Sequence, residues 1–188
     1  MAIRTNITAT IKEIVKSIEG NINGVILSEF ILTFSSCDNP HPEITEESAR
    51  DALHEHLRLR AAALRAKYEN QVNAETVMRM LGDPDALRFP VELRFRSEPL
   101  EPGEFAYPYP IEDDPSGRWI LCLHPYFKDK LGALPALIAY HIPTINYGPI
   151  ITSDEAELFG ATLLGMEIDN YYHLVCDLVD AMVREVLG

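Results

Sequence analysis

Residues 118–127 read "RWILCLHPYF". Five apolar side chains, Trp119 to Leu123, run together and stop at His124 and Pro125. A run this short, closed by a proline, reads as a core strand. Upstream, "VELRFR" at 91–96 alternates apolar and charged residues, the period of a half-buried strand. Between them lies "SEPLEPGEFAYPYPIEDDPSG", residues 97–117, with five prolines and six acids. That composition predicts an extended surface loop with no regular structure over 98–116. The two strands are expected to pair, with this loop as their connection. The rest of the chain carries helical periodicity. The expected class is therefore α+β: a mainly helical single domain spanning 1–188, with a small antiparallel sheet built from Val91–Arg96 and Trp119–His124.

Three parts follow along the chain: a helical part at 1–88, the Pro-rich acidic loop at 98–116, and a strand plus three helices at 117–188. A first amphipathic helix is expected over Asn6–Glu19, with Ile7, Ile11, Ile14, Val15 and Ile18 on one face. "VILSEFILTF" is apolar and leans to helix, because "NPHP" ends it without a hairpin signal. The clearest element begins at "ITEESARDALHEHLRLRAAALRAKYENQ". Thr45 with Ser48 resembles an N-cap region, and Glu46 and Glu47 suit the positive end of the helix dipole. Leu53, Leu57, Leu64 and Tyr68 form its stripe, with Ala61 between them. A short helix, "AETVMRML", ends at Gly82.

Beyond the second strand, "LGALPALIAYH" reads as a helix that stops at His141, because Pro143 follows. "SDEAELFGATLLG" is the next, with Ser153 as N-cap. "EIDNYYHLVCDLVDAMVREVL" is the last. Ile168, Tyr172, Val175, Val179, Met182 and Val186 form one stripe on it, and Tyr171, Leu174, Leu178 and Ala181 a second. So wide an apolar surface belongs to a buried helix or to a dimer seam, and a homodimer through this helix is one expectation. Core burial is the other, for Val175, Val179 and Met182.

The formal net charge is -13 over 188 residues. Neutralising phosphates takes a basic face, so neither nucleic acid nor an anionic membrane is an expected partner. No apolar run reaches the roughly 18 residues of a membrane span, and the N-terminal segment lacks the apolar core of a signal peptide. From Leu131 onward eight acids face one base, Arg184. That imbalance reads as solubility or as a face for a basic partner. Three widely spaced cysteines, Cys37, Cys122 and Cys176, form no disulfide framework. Cys122 and Cys176 read as small buried hydrophobes, and a reducing cytoplasm is the expected location.

No P-loop, dinucleotide glycine pattern, nucleophile elbow or paired CxxC is present. The stretch "ALIAYHIPTINYGPI", residues 136–150, carries one histidine on an apolar helix, and "DEAELFGATLL" follows it. This order of strand, His-bearing helix and acid-bearing helix resembles the ImmA/IrrE-type zinc metallopeptidases over residues 119–166. In that family an HExxH helix follows a strand, and a later helix carries an acid in a pattern like E-x-x-A-x-x-F-A-x-x-L-L. The resemblance places Asp154 or Glu155 at the acidic position, Phe159 at the aromatic one and Leu163–Leu164 at the pair. It would place His141 at the first histidine. Ile142 then stands where the general base belongs, Ile145 where the second histidine belongs, and Pro143 lies between them. An HExxH site needs two imidazoles on one helix face and a carboxylate beside the bound water. Without them the resemblance implies a zincin-like scaffold whose active-site motif is missing.

His141 has a plain reading as a helix C-terminal residue capping the last carbonyls. His54 and His56 point to different sides of a helix and read as solvated faces, not one chelate. His173 has Asp169 and Asp177 four residues to either side, which suits either a metal or a hydrogen-bonded pair. His124 closes a strand, a common place for site chemistry. The chain is thus read as a non-catalytic interaction or regulatory protein with an unidentified protein partner, no catalytic residue, no metal and no cofactor. Two alternatives stay open. One is a metal-dependent hydrolase with atypical ligands drawn from His124, His141, Glu155 and His173. The other is a small-molecule binding protein with its pocket under the Pro/Tyr loop.

Overall fold

The computed structural model describes residues 45–187, with side chains to residue 186. The segments 6–19 and 25–34, read above as helices, and Cys37 lie outside the described residues. The chain divides into two compact units, Met1–Leu53 and His54–Gly188. Of the first, the description covers the start of helix α1 (Glu46–Lys67). Thr45 caps it: the Ser48 N–H donates to Thr45 Oγ1 at 3.1 Å, and the Ser48 hydroxyl donates to the Thr45 carbonyl at 2.9 Å. The expected stripe of Leu53, Leu57, Ala61, Leu64 and Tyr68 is buried throughout.

In the second unit, α1 ends in two left-handed residues, Glu69 and Asn70, and Asn73 opens helix α2 (Ala74–Met80). A reciprocal cap holds it, with Thr76 N–H on Asn73 Oδ1 at 3.1 Å and Asn73 N–H on Thr76 Oγ1 at 2.7 Å. Lys67 then grips the connection to the sheet, its ammonium 2.7 Å from both Asp83 and Asp85.

The sheet has three strands, β1 (Val91–Phe95), β2 (Ala106–Pro110) and β3 (Trp119–Leu123), in the order β1-β3-β2. The expected pair of β1 and β3 forms, but parallel, with Val91 opposite Trp119 and Phe95 opposite Leu123. The reason is β2. It pairs antiparallel with β3, so the chain reverses twice between β1 and β3 and returns in its first direction. The sheet is mixed, not antiparallel. The segment 98–116 is correspondingly not an irregular loop, since Ala106–Pro110 is a strand with Ala106 buried.

Two prolines inside β2 look prohibitive, and their register explains why they are tolerated. The His124 N–H donates to the Phe105 carbonyl at 2.8 Å and the Ile111 N–H to the Arg118 carbonyl at 2.8 Å. Odd-numbered residues of β2 therefore face the ladder. Pro108 and Pro110 occupy even positions, whose backbone groups point away from β3 along the outer edge. A residue without an N–H costs no ladder bond there.

Three helices follow: α3 (Leu134–Tyr147), α4 (Ser153–Leu164) and α5 (Ile168–Leu187). Helix α3 is the centre of the unit, with twelve of its fourteen residues buried. It does not stop at His141. It passes through Pro143 and ends where Gly148, at φ 69°, turns the chain out. An interior proline costs roughly 3 kcal/mol. Full burial of Ile142 and Ile145, each contributing about 1.5–3 kcal/mol, offsets that. On α5, Tyr171, Val175 and Met182 are buried, whereas Val179 is half-buried. Ile168 and Tyr172, from the same stripe, are 41% and 47% exposed, so the core takes one flank of the helix. No helix among the described residues is long and apolar enough to cross a membrane.

Candidate functional site

The polar chemistry of this unit lies at three separate places. The first is the start of α4. Its N-cap is Thr152, not Ser153, because Glu155 stands three residues on and completes a capping box. The Thr152 N–H donates to Glu155 Oε2 at 2.8 Å, and the Thr152 hydroxyl donates to the same oxygen. The other oxygen, Oε1, lies 2.8 Å from His54 Nε2 of α1. Glu155 is fully buried, whereas His54 keeps about a quarter of its side chain exposed. Two residues along, His56 Nε2 meets the Tyr147 hydroxyl at 2.8 Å, with the rings edge-on. Burial, and secondarily the Arg60 charge, holds the His56 imidazole below the usual histidine range. Neither histidine is a solvated face. Each leaves the same helix in a different direction and finds a buried group, Glu155 in the first turn of α4 or Tyr147 at the end of α3.

The second place is His141. Its ring packs 5.3 Å from the Phe105 ring and 5.3 Å from the Tyr140 ring, centroid to centroid. Among the described residues its buried Nε2 has no hydrogen-bond partner. Burial alone pushes the imidazole down to about 4, so it is neutral at pH 7. It sits six residues inside α3, so it caps no carbonyl at a helix end.

The third place is a half-open groove of about 270 Å³ between the segment 97–103 and the last turns of α5. Leu100, Pro102, Met182, Val183 and Val186 form its walls, and His124 lines it. His124 follows β3 and caps a single turn at Pro125–Phe127: its Nδ1 accepts the Tyr126 N–H at 3.2 Å.

The four candidate ligands therefore do not converge. His124 shares a groove with Met182, nine residues beyond His173 on α5, which is about 14 Å along the helix axis. His173 is exposed, as are Asp169 and Asp177. Glu155 is engaged by His54 and Thr152. His141 offers one nitrogen inside a hydrocarbon wall. Among the described residues no three His, Cys, Asp or Glu side chains cluster as a metal would require. Zinc takes three or four such donors, and the described residues bring no such set together.

Cys122 is fully buried, while Cys176 is only half-buried. The His54–Glu155 contact joins residues 101 positions apart, and no local pattern announces it. The Thr152-x-x-Glu155 box was legible, since Ser153-x-x-Ala156 cannot form one. No family model, curated protein or solved structure matches the chain.

Proposed function

We propose that this chain is a non-catalytic interaction or regulatory protein that works by binding, on a zincin-like scaffold whose catalytic positions hold hydrocarbon. The observation that carries this reading is the environment of His141. The residues one and four positions after it, Ile142 and Ile145, are buried at 0% and 1% exposure. Those positions would need a carboxylate and an imidazole to activate water. Support for the scaffold comes from the order β3, α3 with His141, α4 with Glu155, which is the order the metallopeptidase resemblance implies. The alternative of a hydrolase with atypical ligands fares worse, because His124, His141, Glu155 and His173 occupy separate places. The small-molecule reading gains a specific observation: the groove at 97–103 lies under the Pro-rich segment and is mainly apolar, the usual character of a ligand site.

Elemental analysis of the full chain after zinc loading and dialysis tests the non-catalytic reading. The expected result is no stoichiometric zinc. One equivalent of zinc that is lost in His141→Ala would overturn it.

A further inference from the structure

We propose that the groove between residues 97–103 and the end of α5 takes a short, neutral, mainly apolar molecule bearing an amide, whose carbonyl accepts a hydrogen bond from His124. The proposal rests on the binding reading above and adds the chemical class of the ligand.

The size comes first. At about 270 Å³ the groove lies just below the roughly 300–1,000 Å³ of drug-sized sites, so its occupant is short. Its walls are aliphatic at Leu100, Pro102, Val183 and Val186, which selects an apolar body. Polarity is confined to a few groups, and their directions decide the rest. His124 Nδ1 accepts the Tyr126 N–H, so in the neutral ring the proton sits on Nε2. Among the described residues Nε2 has no hydrogen-bond partner. It is therefore a donor, on a ring held by the Tyr126 N–H at Nδ1 and on a backbone whose own N–H is fixed on the Phe105 carbonyl at 2.8 Å.

Glu101 lines the same groove. Its carboxylate repels an anionic ligand and accepts from an N–H. A ligand carboxylate would satisfy His124 and oppose Glu101. An alkylammonium would satisfy Glu101 and meet a second donor at His124. An amide places an acceptor against His124 and a donor against Glu101, so it answers both where neither ion does. The loop is also arranged before any ligand arrives. The Glu101 N–H donates to Glu104 Oε2 at 2.9 Å, and the Glu104 N–H returns to the Glu101 carbonyl at 3.0 Å. A prearranged wall lowers the ordering cost of binding.

The test is a two-dimensional amide NMR titration of the full chain with hexanamide, hexanoate, hexylammonium and benzene. Hexanamide is expected to shift the Leu100, Gly103, Val183 and Val186 resonances and to saturate. Hexanoate and hexylammonium should bind about tenfold more weakly, and His124→Ala should cost hexanamide a similar factor. Heptanamide should bind about two- to fourfold more tightly than hexanamide. Val183→Trp, which fills the groove from its rim, should abolish all of these shifts and checks the site without touching His124. If benzene and hexanoate bind as well as hexanamide and His124→Ala changes nothing, the amide class is wrong while the groove stands as a binding site. If no probe shifts these resonances, the groove is not a ligand site and the proposal falls. The zinc analysis decides the non-catalytic reading separately.

Discussion

His54 and His141 are the same side chain placed against opposite surroundings. His54 lies at the edge of the core and meets a buried carboxylate at 2.8 Å, with part of its ring still in water. His141 lies in the middle of the core and meets aromatic and aliphatic carbon, with Nε2 unpartnered. The first ties two helices together through a hydrogen bond. The second is tolerated as a neutral ring filling volume. Burial by itself therefore does not mark a histidine as functional. What matters is whether the buried nitrogen is given a partner.

The sharpest way to break the contrast is Glu155→Ala. It removes the His54 contact and both capping bonds of α4 and leaves a cavity. The expected loss is about 3–4 kcal/mol of unfolding free energy, read by urea denaturation at pH 7. A loss below 1 kcal/mol would mean the pair is decorative.

Next comes acid. The folded protein takes a proton on His141 only at about 4, whereas the unfolded chain takes it near the ordinary 6.5. Below pH 6.5 the unfolded state binds more protons, so stability falls as pH falls, and this contribution levels off below pH 4. The expected loss from His141 between pH 7 and pH 5 is about 2 kcal/mol. His141→Leu should remove that part of the slope and match or exceed wild type at pH 7, because the orphaned nitrogen disappears. An unchanged slope in the variant would place the titration elsewhere.

The smallest effect concerns His56. His56→Leu keeps the volume and loses one neutral hydrogen bond to Tyr147, for a cost of about 1 kcal/mol. A loss as large as that of Glu155→Ala would show that the two links of α1 act as one unit.

Much of the architecture was legible because it is local. The Thr45 cap, the α1 stripe, the positions of β1 and β3 and the α5 helix all follow from periodicity and capping residues. The errors share one cause, which is tertiary structure overruling a local rule. Pro143 should have ended α3, yet the burial of Ile142 and Ile145 carries the helix through it. Pro108 and Pro110 should have kept 98–116 irregular, yet an edge position leaves them harmless. Missing β2 then reversed the inferred direction of β1 against β3. The site was less legible than the fold. Spacing correctly separated His54 from His56, but only packing shows that Glu155 and Tyr147 await them.

The register of β2 has a consequence for how molecules of this protein meet one another. Along its outer edge Pro108 and Pro110 present no donor, which leaves the Ala106 N–H as the sole outward donor across the five residues. A passing strand from another molecule finds carbonyl acceptors there but almost no donors, so the prolines guard the sheet against fibre-like growth. Pro108→Thr with Pro110→Thr should keep the fold and restore both donors. Faster aggregation than wild type on gentle heating, followed by light scattering, is the expected result; equal rates would mean that the edge is protected by something other than its prolines.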